Sequence, residues 1–143
     1  MAVEEAEVGK VWTLYILGQL AESWPRRVSF NAMDLSTKTG VEPMLESDLD
    51  ETFFGTLDWL RNEGFVRYQD NMMGEGWVED VQITAKAMDA IGHALPTYKG
   101  QVGKHLKTIA AGAGSAAGQA AISETMGLVV GAAARAFLGG GAS

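Results

Sequence analysis

The chain has 143 residues, a net charge of −7 and 47% hydrophobic residues, the size and make-up of one globular domain with room for an appendage. It has no cysteine, which excludes disulfides, thiolate metal sites and a cysteine nucleophile and suits a reducing cytoplasm. The opening Met1-Ala2-Val3-Glu4-Glu5-Ala6-Glu7 lacks the basic-then-apolar order of a secretory signal.

Val8, Val11, Trp12, Tyr15, Ile16 and Leu20 recur at three- and four-residue spacing and predict a helix over 8–24. Pro25 stops it, because the residue before proline is pushed out of the helical region. Arg26 to Phe30 supplies a short strand. Asn31 caps a helix that Gly40 ends. Ser47 is the predicted N-cap of a third helix over 47–63, with Asp48, Asp50 and Glu51 in its first turn and Leu49, Phe53, Leu57 and Leu60 on one face. Gly64 suits the left-handed position after that helix. Residues 65–68 and 77–83 read as strands joined by a hairpin loop over 70–76. Thr84 caps a further helix to Leu95, which Pro96 closes.

This order, with Leu57-x-x-Leu60-x-x-x-Gly64-Phe65-Val66 and Ile83-Thr84-Ala85-Lys86-Ala87, resembles the winged-helix (winged helix-turn-helix) domains of bacterial regulators over about residues 8–95. Ala87 stands where the family pattern has glycine. The resemblance implies a helix-turn-helix followed by a β-hairpin wing, with the third helix as the reading element in members that bind DNA. The expected fold class is mainly α with a small β-hairpin (α+β). A winged-helix-like domain over 1–95 would be followed by a hinge or linker over 96–107. A Gly/Ala-rich helical tail over 108–143 would form one helix or a helical hairpin.

Charge is unevenly spread. Residues 1–95 carry seven Lys/Arg against seventeen Asp/Glu, a balance of −10, whereas residues 96–143 carry four against one, a balance of +3. DNA binders concentrate positive charge on the reading surface. Here the third helix offers Arg61 and Asn62 against five carboxylates. Arg26, Arg27, Lys38, Arg61, Asn62 and Arg67 are the candidate nucleic-acid contacts, and pairing with nearby carboxylates competes with that role.

The tail is different in kind. Thr97 to Lys107 is polar and contains Gly100 and Gly103, which reads as a hinge; a chain ending near Leu95 is then expected to fold alone. Between Thr108 and Ala134 only Glu124 is charged, and Gly114-x-x-x-Gly118 and Gly127-x-x-x-Gly131 align small residues on one helical face. Ile122, Met126, Val129, Val130, Ala133 and Phe137 form an apolar stripe. An earlier stripe through Leu106, Ala110 and Ala113 lies nearly opposite on one straight helix, so the helix either buries two faces or breaks near Ser123-Glu124. The length would span a bilayer, but Glu124 near the centre would cost roughly 2.5–3.5 kcal/mol on insertion scales, so spanning is not expected. The predicted interaction residues are Gly114, Gly118, Ile122, Met126, Gly127, Val130, Gly131 and Phe137.

Catalytic patterns are absent. Gly112-x-Gly114-x-x-Ala117 matches a dinucleotide fingerprint only as a string, without the strand or the βαβ unit it needs. His93 and His105 lack metal-ligand spacing, and Glu79 and Asp80, adjacent on a strand, are expected to point to opposite faces. No nucleophile elbow or Walker loop occurs. No enzyme activity, cofactor or metal is expected. The expected function is a cytoplasmic protein-interaction or assembly module, its tail mediating self-association or partner docking. The alternatives are a DNA-binding regulator dimerising through the tail and a membrane-surface adaptor.

Overall fold

A computed structural model describes residues 1–70, 73–98 and 100–142, with the side chains of 136–142 outside the description. The fold is mainly helical with a small antiparallel sheet, as expected. Helix α1 (Glu5–Ser23) carries Glu5 and Glu7 in its first turn, where the helix dipole favours them. Its buried residues include Val8, Val11, Trp12, Leu14, Ile16, Leu17 and Leu20, which lie all around the cylinder. A helix apolar on every side is a central helix, and α1 is the axis on which the other elements pack.

Strand β1 (Ala2–Val3) pairs in parallel with β3 (Glu42–Pro43). Between them run β2 (Val28–Asn31) and α2 (Ala32–Thr39). Asn31 caps α2 by accepting the Asp34 N–H at 2.8 Å, and Gly40 ends it at φ +75°, as predicted. Helix α3 spans Leu49–Asn62. Ser47 is not its cap: Glu46–Asp48 form a 3-10 turn, and Asp48, in the cap position, makes no side-chain capping bond. The carboxylates still favour the helix N-terminus through its dipole.

Beyond Gly64 (φ +82°) lie β4 (Val66–Arg67), β5 (Met73–Gly74) and β6 (Trp77–Ile83). The sheet order is β2-β6-β4, with β5 also pairing β6. Of the loop predicted over 70–76, Asn71 and Met72 lie outside the described residues. The β2–β6 register shifts between Val28 and Phe30, and Asp80 sits at φ +58°. The extra residue lets Val78, Val81 and Ile83 all face the core, and it leaves Glu79 and Asp80 both exposed rather than on opposite faces.

Thr84 caps α4 (Ala85–Ala94) by accepting the Ala87 N–H at 3.1 Å, and its hydroxyl donates to the Gly64 carbonyl at 2.7 Å. His93 lies in the last turn, 3.6 Å from Asp89.

The stretch 96–107 differs from the expected hinge. After a 3-10 turn over Pro96–Tyr98 the chain forms α5 (Val102–Ala111), which lies against α1. Leu106 and Ala110 are fully buried there. The backbones meet at Gly18 and Gly103: a Cβ on Gly103 would stand 2.5 Å from the Gly18 carbonyl oxygen, and one on Gly18 would stand 2.6 Å from that of Gly103. Lys107 spans the same contact, 2.7 Å from Glu22 and 3.0 Å from the Gln19 amide oxygen. Gly103 therefore serves close approach rather than flexibility. His105 stacks on Tyr98, and burial lowers its pKa from the ordinary histidine value.

The tail is two helices, α5 and α6 (Ala116–Ala142), and the break falls at residues 112–115. Ser123-Glu124, the expected break, lies inside α6. The reversal at 112–115 resolves the phase conflict, because α5 and α6 each bury one face. Helix α6 packs Ile122, Thr125, Val129, Ala132 and Ala133 on the core, in contact with α4 and α1. Among the described residues no helix is long and apolar enough to cross a membrane.

Candidate functional site

The first turns of α1 place Ala6, Gly9 and Thr13 on one side, at three- and four-residue spacing. Helix α3 faces them with Thr52, Gly55, Thr56 and Trp59. Between them runs an open groove of about 550 Å³, whose third wall is Met126 of α6. Its floor is low because so many positions are small. Nothing lies within 4 Å of where a Cβ on Gly55 would stand.

The floor is also polar in an unusual way. Thr52 is 7% exposed, and its hydroxyl has no hydrogen-bond partner, although its carbonyl accepts from the Thr56 hydroxyl at 2.8 Å. A buried hydroxyl left unmatched costs about 1–3 kcal/mol. A strained or unsatisfied group beside a groove is a reason to look for a ligand there.

One mouth of the groove is acidic. Glu5 has its pKa raised by desolvation first, then by the charge of Asp48, a hydrogen bond with Asp48 and the charge of Glu51. The folded state therefore holds this proton to higher pH than the unfolded chain, and Glu5 lowers stability as pH rises through its folded value. Glu5→Gln is expected to raise the thermal midpoint at neutral pH. That gain should vanish as the pH falls below the ordinary carboxylate range, which melting curves across pH would check.

The predicted tail residues part company. Ile122 is fully buried and Met126 half-buried, so the membrane-adaptor stripe is largely spent inside the molecule. A Cβ on Gly118 would collide with the Gly112 carbonyl, so Gly118 serves the α5–α6 turn. Gly114 and Gly127 face open space, Gly131 has only the Arg135 guanidinium at 3.9 Å, and Val130 is 39% exposed. Gly127, Val130 and Gly131 thus lie on the outward face of α6, beside the groove. The side chain of Phe137 lies outside the described residues.

Of the predicted nucleic-acid residues, Arg27, Arg61 and Arg67 gather around Tyr68, and several of the set are paired with acidic groups. Arg61 lies 2.6 Å from Asp70 and 3.6 Å from Asp58, with its guanidinium over the Tyr68 ring. Lys38 pairs with Asp34 at 3.6 Å, and Asn62 donates to Asp58 at 3.4 Å. Arg27 and Arg67 share a small hollow with Asp80, and Arg26, Arg27 and Arg67 have no ion pair among the described residues. A second apolar hollow of about 550 Å³ lies between α4 and the start of α5, lined by Ala21, Met88, Gly92 and Val102. Among the described residues no group of three or more acidic, histidine or cysteine side chains is placed to hold a metal.

No family model, no curated protein and no solved structure matches this chain. The groove must be interpreted from its own geometry. Sequence reasoning missed it, although Ala6-x-x-Gly9-x-x-x-Thr13 and Thr52-x-x-Gly55-Thr56 carry the small-residue spacing that produces it.

Proposed function

We propose that this chain is a non-enzymatic assembly module on a winged-helix-like scaffold, and that its α1–α3 groove takes the outward face of α6 from a second copy. The observation that carries the reading is that Gly55 and Gly127, both inside helices, face open space on surfaces that adjoin at Met126. A helical glycine costs about 1 kcal/mol against alanine. At the α1–α5 crossing that cost is offset by close backbone approach, and Gly55 and Gly127 await the same compensation from outside. Groove and α6 face lie side by side on one copy, as an isologous two-fold contact requires. The order of elements and the β2-β6-β4 sheet support the winged-helix likeness. The acidity of α3, with Asp50, Glu51 and Asp58, weighs against the DNA-binding alternative.

Gly55→Leu and Gly131→Leu test this. Leucine is a better helix former, and its Cβ meets no clash at either position, so the thermal midpoint is expected to hold or rise. Light scattering should show wild type gaining mass with concentration, up to on the order of 0.1 mM, and both variants staying monomeric. A wild type that stays monomeric over that range, or variants that associate unchanged, would reject the reading.

A further inference from the structure

Among the described residues, the three most exposed large apolar side chains are Met44 at 67%, Met33 at 66% and Leu45 at 62%. They are not scattered. Met33 on α2 and Met44 in the turn before α3 line one hollow of about 310 Å³, floored by Pro43 and Leu49, and Leu45 follows Met44 in the chain. Isolated exposed apolar residues need no explanation, but a cluster in a hollow marks an interaction surface. Methionine is unbranched and polarisable, so a pair of them lines a site that can re-pack around different apolar anchors.

The rim fixes the sign of the partner. Glu42 and Glu46 line the hollow. No Lys or Arg lines it. Glu42 accepts from the Ser36 hydroxyl at 3.0 Å and lies 3.7 Å from the amino group of Met1; Glu46 has no ion pair among the described residues. The acidic part of a second copy, residues 1–95 at −10, would be repelled by this rim, as would an anionic lipid surface or a nucleic acid.

We infer that the hollow lined by Met33 and Met44 docks a basic amphipathic helix of a partner protein. Apolar anchors at i, i+3 or i+4 enter the hollow, and flanking Lys or Arg meet Glu42 and Glu46. Its lining shares no residue with that of the groove that takes the second copy. The chain would then associate with itself through one surface and capture a basic partner through another.

The test uses the full chain with its methionine methyl groups labelled for NMR. The probe is a synthetic amphipathic helix of Leu and Lys, and the control has the same Leu pattern with Glu in place of Lys. The Met33 and Met44 methyl signals are expected to shift saturably with the Lys probe and not with the Glu control. Affinity should drop at least tenfold when salt is raised from about 0.05 to 0.5 M, because the attraction is between exposed charges. Met33→Ser with Met44→Ser, both on exposed side chains, should weaken binding about tenfold or more without moving the thermal midpoint. The proposal is overturned if both probes shift the two signals equally or if neither does. It is also overturned if only the Met126 signal responds, or if anionic lipid vesicles perturb Met33 and Met44 while the Lys probe does not.

Discussion

Replacing Gly103 by leucine is expected to destabilise the chain by about 3 kcal/mol or more and to lower its urea midpoint by more than about 1 M. A Cβ there would stand 2.5 Å from the Gly18 carbonyl oxygen and 2.9 Å from the Glu22 backbone nitrogen. Both neighbours are main chain in the last two turns of α1, so neither can turn aside as a side-chain tip would. Relief requires α5 to move off α1, which uncovers Leu106 and loosens the Lys107–Glu22 pair. Gly55→Leu, in the groove, should cost nothing, so the pair of variants separates close packing from helix propensity. An unchanged urea midpoint for Gly103→Leu would mean that the two helices do not cross at this point.

Ending the chain at Leu95 is expected to abolish cooperative unfolding. The missing segment supplies Leu106, Ala110, Ala113, Ile122, Val129, Ala132 and Ala133 to the core. Three of these are large, and at about 1.5–3 kcal/mol each they account for roughly 5–9 kcal/mol. That is comparable with the whole stability of an ordinary domain, about 5–15 kcal/mol. The shortened chain should melt gradually and bind a hydrophobic dye. A sharp thermal transition would restore the boundary at residue 95 that the sequence suggests.

The two expectations, a self-sufficient 1–95 and one completed by α5 and α6, diverge for an identifiable physical reason. Local signals were legible: Asn31 and Thr84 each offer an oxygen to a nearby N–H, and Gly40 and Gly64 each take a positive φ. These devices act within a few residues, so a linear reading finds them. Gly103 acts on Gly18, far away in the chain. Set among polar residues, a glycine kept for contact looks like one kept for mobility. The clue lay in α1, where Leu14 and Leu17 accompany Trp12 and Ile16 on a helix apolar all round. Such a helix needs cover on a second side. The groove was hidden for the opposite reason, because its small residues show up as an empty space only when α1 and α3 are brought together.

The Gly18–Gly103 crossing also sets an order of events during synthesis. The partner of Gly18 is made roughly 85 residues later, which at 5–20 residues per second is a wait of roughly 4–17 s. Throughout that interval α1, the helix on which the other elements pack, has one flank uncovered, because α5 does not yet exist. Its first companions are α2, β3 and α3, which leave the α5 flank open. The nascent chain is therefore open to aggregation on that flank, and in need of a chaperone there, until α5 arrives.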